Sequence, residues 1–531
     1  MKIVVAEKIS KSAIDLLREP DWVVVTPDQI NSNLPAHLET ADALIVRSAV
    51  QVNGELLAKA PKLRVVGRAG VGVDNIEIDP ATRQGIAVIN TPGANAVAVA
   101  EHTMAVMLAM ARHLCRANQL THAGKWEKKS LQGTELRGKT LGIVGLGKIG
   151  MEVARRAHAF GMQVIGHDPY VSTVVAKEQG IHLTALDELY SSADYLTLHV
   201  GLTAQTSGMI NAKSLKKMKR GVRLVNCARG ELIDEPALAD ALKSGQVAAA
   251  ALDVFAEEPL RNSALTGLDN VILTPHIGGS TEEAQEAVGY QIALQVKEFL
   301  KDGVIQNAVN VPSVSHDEYL ELLPYISLAE RLGSFLAQIS EGTLEEISLR
   351  YGGHIAQRKT ELIRNAAIKG MLNQVLDEKA NLVNAATIAA SRGLRIYESH
   401  KPQVSTGGAG SVLSIIVKTQ AEEHTVKGAV LHQNDPRLLH VDGIEVEAPL
   451  QRNLIYLRNR DVPGVIGKVG RILGDHQINI ADFSLGRRTE STEAPREAIA
   501  VVHVDEVVPE SVLAELREIP AMEKAKAVRL F

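Results

Sequence analysis

The chain has 531 residues, room for three or four domains at roughly 150 residues each. Lys and Arg number 57 and Asp and Glu 62, a net charge of −5, so no global field draws it to nucleic acid or an anionic membrane. Hydrophobic residues make up 45%, which excludes a disordered chain, and two cysteines, Cys115 and Cys227, cannot build a disulfide framework or a Cys-rich zinc site.

The opening residues 1–8 break their apolar run too soon for a signal peptide and predict a first strand. No stretch approaches the roughly 20 apolar residues of a membrane span. A cytoplasmic protein with small-molecule chemistry and no metal site is the expectation. Up to about residue 310, short β-branched runs (3–6, 43–46, 65–67, 88–89) alternate with helical stretches, the rhythm of parallel α/β units. A long helix is predicted over 95–117, with Met104, Met107 and Met110 in the core and His102 packed on the same helix. A second α/β block runs from Leu141 to about Gln285. Residues 303–313, ending in Pro312-Ser313, predict a linker. A helix with Leu322, Leu323, Ile326, Leu332, Phe335 and Leu336 at helical spacing follows, then a flexible turn at 407–410 and a hairpin at Asp442-Gly443. From about Asn453 the order is strand, helix, strand, strand, helix, strand, which is ferredoxin-like.

The strand 140–144 runs into Gly145-Leu146-Gly147-Lys148-Ile149-Gly150 and a helix. Gly145 allows a tight turn, Gly147 lets backbone approach a pyrophosphate, and Gly150 lets the helix pack on the sheet with its first N–H groups facing the anion. Asp168 ends the next strand, where a carboxylate accepts hydrogen bonds from ribose hydroxyls and repels a 2′-phosphate. This predicts NAD in preference to NADP. Three later strand ends carry Arg229, Glu258 and His276. Loops at carboxyl ends line the crevice of an open α/β sheet, so these residues can converge on the nicotinamide. His suits a base near neutrality, the Arg fork an oxyacid, and a carboxylate beside His favours its protonated form. Glu257 is as acidic as Glu258, and Cys227 reads as a structural thiol beside the cofactor.

At these residues the chain resembles the D-isomer-specific 2-hydroxyacid dehydrogenases, in the segments 225–230, 251–259 and 275–279. The resemblance implies Glu258 as the partner of His276, Asp253 as a nicotinamide-side contact, and Gly278 and Gly279 in the cofactor loop. It also implies a Rossmann-type NAD domain (99–286) inserted in a flavodoxin-like substrate domain (1–98 plus 287–311). Arg47-Ser48 and Arg68-Ala69-Gly70-Val71-Gly72 follow strands 43–46 and 65–67. In that context Arg47, Ser48, Arg68, Gly70, Val71 and Gly72 form an anion cradle for substrate. Lys128 and Lys129 are left as a solvated face.

A minimal member of this family ends near residue 311, which leaves 531 − 311 = 220 residues. Residues 457–466 resemble the start of an ACT domain, an amino-acid-binding regulatory fold. Asn459, Asp461, Gly464, Val465 and Asn479 become candidates for an effector site, with backbone N–H groups at the helix start for a carboxylate and Asp461 or Asn479 for an ammonium. Val462 stands where ACT relatives often have Arg. The order α/β substrate and NAD domains, α+β intervening domain (312–452), ferredoxin-like ACT domain (453–531) resembles the long-form, phosphoglycerate-oxidising branch of the family. That implies NAD-dependent oxidation of 3-phospho-D-glycerate to 3-phosphohydroxypyruvate, the first step toward L-serine. L-serine is the first candidate effector, and a homodimer or homotetramer is expected. The alternatives are another D-2-hydroxyacid dehydrogenase, such as a glyoxylate or hydroxypyruvate reductase, and a non-enzymatic NAD sensor.

Overall fold

The computed structural model describes residues 1–530 except 31–32, 377–378, 404–409, 433 and 489–495. The first sheet has five parallel strands in the order Val23–Val25, Lys2–Val5, Ala43–Val46, Val65–Arg68, Ala87–Ile89. Its strands read as continuous apolar runs because helices cover both faces. Ile3, Val5, Ala43 and Ile45 point to one core with Ala13, Leu17, Ile292 and Val296, while Val4, Leu44 and Val46 point to the other with Leu38 and Leu57. Each fully buried Val, Ile or Leu contributes about 1.5–3 kcal/mol, so both faces hold their helices. Gly67 lets the helix Glu282–Asp302 approach, since a Cβ there would lie 2.9 Å from both Ile292 and Val296.

The second sheet has seven parallel strands in the order Val271–Leu273, Val247–Leu252, Val222–Asn226, Tyr195–Leu198, Thr140–Val144, Gln163–His167, His182–Leu183. The chain reverses direction of travel across the sheet between Thr140–Val144 and Tyr195–Leu198, which opens a crevice at the strands' carboxyl ends. Two unbroken helices, Ala96–Ala111 and Glu282–Asp302, contain the expected boundaries at 98/99 and 286/287. The long helix expected over 95–117 is instead two, Ala96–Ala111 and Leu114–His122, broken where His113 adopts φ 50°. Met104, Met107 and Met110 are buried as expected.

The expected linker at 303–313 is no linker. Val304, Ile305 and Val311 are buried, and Val309 donates its N–H to Val88 at 2.9 Å. Asn310 accepts from Val88 N–H and donates to the Ile86 carbonyl, both at 2.9 Å, so its amide completes the edge of the first sheet. Beyond it, helix His316–Ile339 buries Leu322, Ile326, Leu332, Phe335 and Leu336, but Leu323 is exposed and leaves the expected core set. This helix packs on Glu361–Val375 through reciprocal glycines. A Cβ at Gly333 would lie 2.1 Å from the Ala367 carbonyl oxygen, and one at Gly370 2.0 Å from that of Glu330.

Six strands follow in the order Arg395–Lys401, Leu344–Gly353, Ser411–Thr419, Glu423–Leu431, Asp435–Val441, Ile444–Pro449, antiparallel except for the first pair. The expected hairpin forms, with Val441 opposite Ile444 and positive φ at both Asp442 and Gly443. Residues 407–409 of the expected flexible turn lie outside the described residues. The last sheet is antiparallel in the order Ile480–Arg487, Glu497–Val504, Asn453–Arg460, Met522–Arg529, with helices Val465–Asp475 and Glu510–Arg517 on one face. Leu454, Tyr456, Val501 and Val528 on its other face join the core of the preceding sheet. Among the described residues no helix is long and apolar enough to cross a membrane.

Candidate active site

The carboxyl ends of the two parallel sheets face each other across a cleft of about 590 Å³. Arg47, Ser48, Arg68 and Gly70 line it from the first sheet, and Arg229, Glu258 and His276 from the second. Val71 and Gly72 do not line it. The Val71 carbonyl accepts from Asn90 Nδ2 at 2.5 Å, and Gly72 backs the guanidinium of Arg229. Both make supporting contacts, one within its loop and one beneath Arg229.

His276 Nδ1 lies 2.8 Å from Glu258 Oε2, and Glu258 Oε1 accepts the Phe255 N–H at 3.1 Å. That geometry decides between the adjacent acids: Glu258 is the partner. With Nδ1 engaged, Nε2 is the imidazole atom left for a reacting hydroxyl. The His276 backbone sits at φ 54°, a conformation that must be held by its surroundings. Asp253 holds it from below, accepting from Thr274 Oγ1 at 2.6 Å, Ile277 N–H at 2.9 Å and Gly278 N–H at 2.7 Å. Burial pushes the Asp253 carboxyl up, but His102, Thr274 and the two amides outweigh it and hold the group below its ordinary value. Both Asp253 oxygens are thus engaged by neighbours in the same loop. His102, expected only to pack, stands with Nε2 3.2 Å from Thr274 Oγ1 and 3.4 Å from Asp253, so it braces this floor. Gly278 and Gly279 keep the loop close, because a Cβ at either would lie 3.0 Å from Asp253 or Asn95.

On the opposite wall Glu7 accepts the N–H groups of Arg47, Ala49 and Val50 at 2.8–3.1 Å, shaping the turn that presents Arg47 and Ser48. Arg68 has a buried Nε without a partner and runs against Gly70, where a Cβ would fall 1.5 Å from Nη1. Burial and the charge of Arg229 push its pKa down, opposed by Asp74 and Glu7, yet a guanidinium stays protonated. Glu7, Asp74, Asn95 and Gln285 have no role in the expected set. The strand-end rule that selected Arg47 also points to Glu7, which follows the strand Lys2–Val5. Asn95 and Gln285 line the cleft from helix starts, which no local motif marks.

The nucleotide crevice has the expected form. Gly145 adopts φ 92°, and a Cβ there would lie 2.5 Å from the His199 carbonyl oxygen. A Cβ at Gly150 would lie 2.0 Å from the Gly145 carbonyl oxygen, so helix Lys148–Ala159 abuts the turn. Gly147 caps that helix with nothing within 4 Å of its Cβ position, leaving the N–H groups at Lys148 and Ile149 open to an anion. Asp168 accepts Leu146 and Tyr170 N–H groups, each at 2.8 Å, which fixes the carboxylate beside the glycine turn with lone pairs left for ribose hydroxyls. Burial pushes the Cys227 thiol up to about 12, so it is a neutral wall and no nucleophile. These residues fit a dinucleotide.

Residues 104–278 match the family described as D-isomer specific 2-hydroxyacid dehydrogenase, NAD binding domain. Residues 321–442 match the D-3-phosphoglycerate dehydrogenase intervening domain, and 454–521 the ACT domain. A protein of Methanocaldococcus jannaschii named D-3-phosphoglycerate dehydrogenase is 42% identical over 531 residues, covering 100% of both chains. One of the same name from Bacillus subtilis is 39% identical over 529 residues, covering 100% of this chain and 99% of its own. The chain belongs to the D-3-phosphoglycerate dehydrogenase family. It is an NAD-dependent D-2-hydroxyacid dehydrogenase. The chain also superposes, over 59% of its length, on the crystal structure of D-lactate dehydrogenase from Aquifex aeolicus complexed with NAD and lactic acid. That match has 30% identity, TM-score 0.52 and covers 100% of the neighbour.

The ACT domain of this dehydrogenase carries a second cavity of about 290 Å³. Asn459, Asp461, Gly464 and Val465 line it as expected, together with Leu457, Phe483, Leu485 and Arg487. Asp461 faces Arg487 Nε at 3.3 Å, so an ammonium there would share the carboxylate with a guanidinium. Within the chain, Asn479 does not line this cavity. It lies at the opposite end of the sheet, where Nδ2 donates to Asp505 at 2.7 Å. The helix between Gly464 and Asn479 spans the sheet, so a residue after the helix returns to the end where Asn453 starts.

Proposed function

We propose that this enzyme oxidises 3-phospho-D-glycerate to 3-phosphohydroxypyruvate, the first step toward L-serine. The observation that carries the reading is the meeting of Arg47, Arg68 and Arg229 with the His276–Glu258 pair in one cleft. Arg47 and Arg68 hold the phosphate end, where a dianion needs more than one cation. Arg229 holds the carboxylate and the oxygen that becomes the carbonyl. His276 Nε2 takes the hydroxyl proton as the hydrogen on C2 leaves as hydride, and Glu258 stabilises the imidazolium so formed. NAD, when bound, supplies the hydride acceptor. Gly147, Lys148 and Ile149 hold its pyrophosphate, Asp168 its ribose, and Cys227, Asp253, Gly278 and Gly279 border its nicotinamide side.

In this reading residues 1–98 plus 287–311 bind substrate, 99–286 bind NAD, and 312–452 relay a signal from the ACT domain at 453–531. L-serine, the pathway product, binds the ACT cavity through the Gly464–Val465 helix start and Asp461, in a cytoplasmic homodimer or homotetramer. An effector that alters activity must favour one arrangement of the chain over another. The test is turnover with a panel of D-2-hydroxy acids and both nicotinamide cofactors. Preference for 3-phosphoglycerate with NAD is the expected result, and equal use of unphosphorylated acids overturns it.

A further inference from the structure

Arg229 does not stand free in the cleft. Its Nε donates to Asp74 Oδ2 at 3.0 Å and its Nη1 to the carbonyl of Ala228 at 2.6 Å. Its Nη2 lies over bare backbone at Gly72, where a Cβ would be 1.8 Å from that nitrogen and 2.6 Å from Asp74 Oδ2. Every nitrogen of the guanidinium is therefore constrained, and two of the three constraints come from the loop that follows the strand Val65–Arg68 of the first sheet. Arg229 itself follows a strand of the second sheet. The Asp74–Arg229 pair thus spans the cleft between residues 155 apart in the chain.

Two other acids near the cleft have different partners. Glu7 is engaged by three backbone amides and Glu258 by His276. Among the described residues Asp74 alone offsets the repulsion among Arg47, Arg68 and Arg229 with a direct hydrogen bond to one of their guanidinium groups. It is also one of the two acids that oppose the downward pull on the pKa of Arg68. We propose that Asp74 is the positioning residue for Arg229, fixing its guanidinium across the cleft so that it meets the substrate's carboxylate and reacting oxygen in one orientation. This rests on the role given to Arg229 above. Asp74 does not touch substrate; it acts through Arg229.

The test is a double-mutant cycle of Asp74→Ala and Arg229→Ala, with Asp74→Asn as the conservative variant. A misplaced catalytic group costs up to about 100-fold, so Asp74→Ala should lower kcat/KM by roughly 10- to 100-fold. The KM for NAD should not change. Asp74→Asn, which keeps an acceptor and loses the charge, should recover part of the loss. In the Arg229→Ala background Asp74→Ala should change kcat/KM by less than about 2-fold, because coupled residues are not additive. The proposal falls if the two losses multiply, if Asp74→Ala keeps wild-type kcat/KM, or if it lowers the substrate KM. The last result would make Asp74 a placeholder that substrate displaces. The cycle is run on whichever hydroxy acid the wild type prefers, so an error in the proposed substrate leaves this test intact. If Asp74→Ala does not fold, Asp74→Asn in both backgrounds decides it.

Discussion

The catalytic cleft and the ACT cavity are built on opposite plans. The cleft gathers three arginines and an exposed His–Glu pair, with Arg229 held by Asp74, His276 by Glu258 and the turn of Arg47 by Glu7. The ACT cavity is walled by Leu457, Val465, Phe483, Leu485, Ala498 and Ala500, with one ion pair, Asp461–Arg487, at its rim. The first surface suits a multiply charged substrate and a reaction that moves a proton. The second suits a small zwitterion held by backbone and one carboxylate. The lesson is that orientation, more than the number of charges, separates a site for chemistry from a site for sensing.

The sharpest way to break this comparison is His276→Ala. Loss of a general acid/base lowers turnover by about 10²- to 10⁴-fold, and NAD binding measured by fluorescence titration should remain near wild type. Loss of NAD affinity by the same factor would mean His276 shapes the crevice instead. The next largest effect is expected for Arg47→Ala. A hydrogen bond to a charged group contributes about 1.5–3 kcal/mol, so KM for 3-phosphoglycerate should rise by roughly 10- to 100-fold. The rise should be smaller for an unphosphorylated hydroxy acid, and steady-state kinetics on both substrates checks this.

At the ACT cavity the effects are smaller. Arg487→Ala releases Asp461 for an ammonium, so L-serine should act at lower concentration, by a few-fold, with turnover in its absence unchanged. A shift in uninhibited turnover would tie the rim to catalysis and blur the distinction drawn above. The smallest effect concerns the floor of the nucleotide crevice. Because burial lifts the Cys227 thiol to about 12, its thiolate is scarce at pH 8 and iodoacetamide should spare it. Labelling should fall on exposed Cys115, and rise at Cys227 only as pH approaches that value. Mass spectrometry of labelled peptides at pH 8 reads the outcome, and fast labelling of Cys227 would mean the floor opens.

What is legible in the sequence is what neighbouring residues decide. Gly145, Gly147, Gly150 and Asp168 lie within one strand–helix–strand unit, and the Asp442-Gly443 turn needs only its own two backbone conformations. Arg229, Glu258 and His276 were legible because each ends a recognisable strand. Asp74 was not, since its partner comes from another strand end and nothing local marks it. Glu7 does follow a strand, but the amides it holds belong to another strand end and do not show in the sequence. The stretch 303–313 has a linker's composition, and only the first sheet's edge explains why Asn310 is needed there. Asn479 lies away from the cavity within one chain because a helix carries the chain across the sheet before it, so closeness in sequence to Gly464 is distance in space.

One apolar core runs from Ile3 and Val5 through Val304, Val311, Tyr319 and Phe335 to Tyr456 and Val528. Gln338 and Arg529 exchange two hydrogen bonds across its far end, and Lys524 pairs with Glu422 at 3.0 Å. For anyone who would shorten this enzyme, the sensing end is no detachable accessory. A cut after Val311 would bare apolar side chains of this core, so the fragment should bind a hydrophobic dye that the full chain does not. The same continuity sets the last sheet and the strands that present Arg47 and Arg68 against parts of one core, with packed side chains all the way between them.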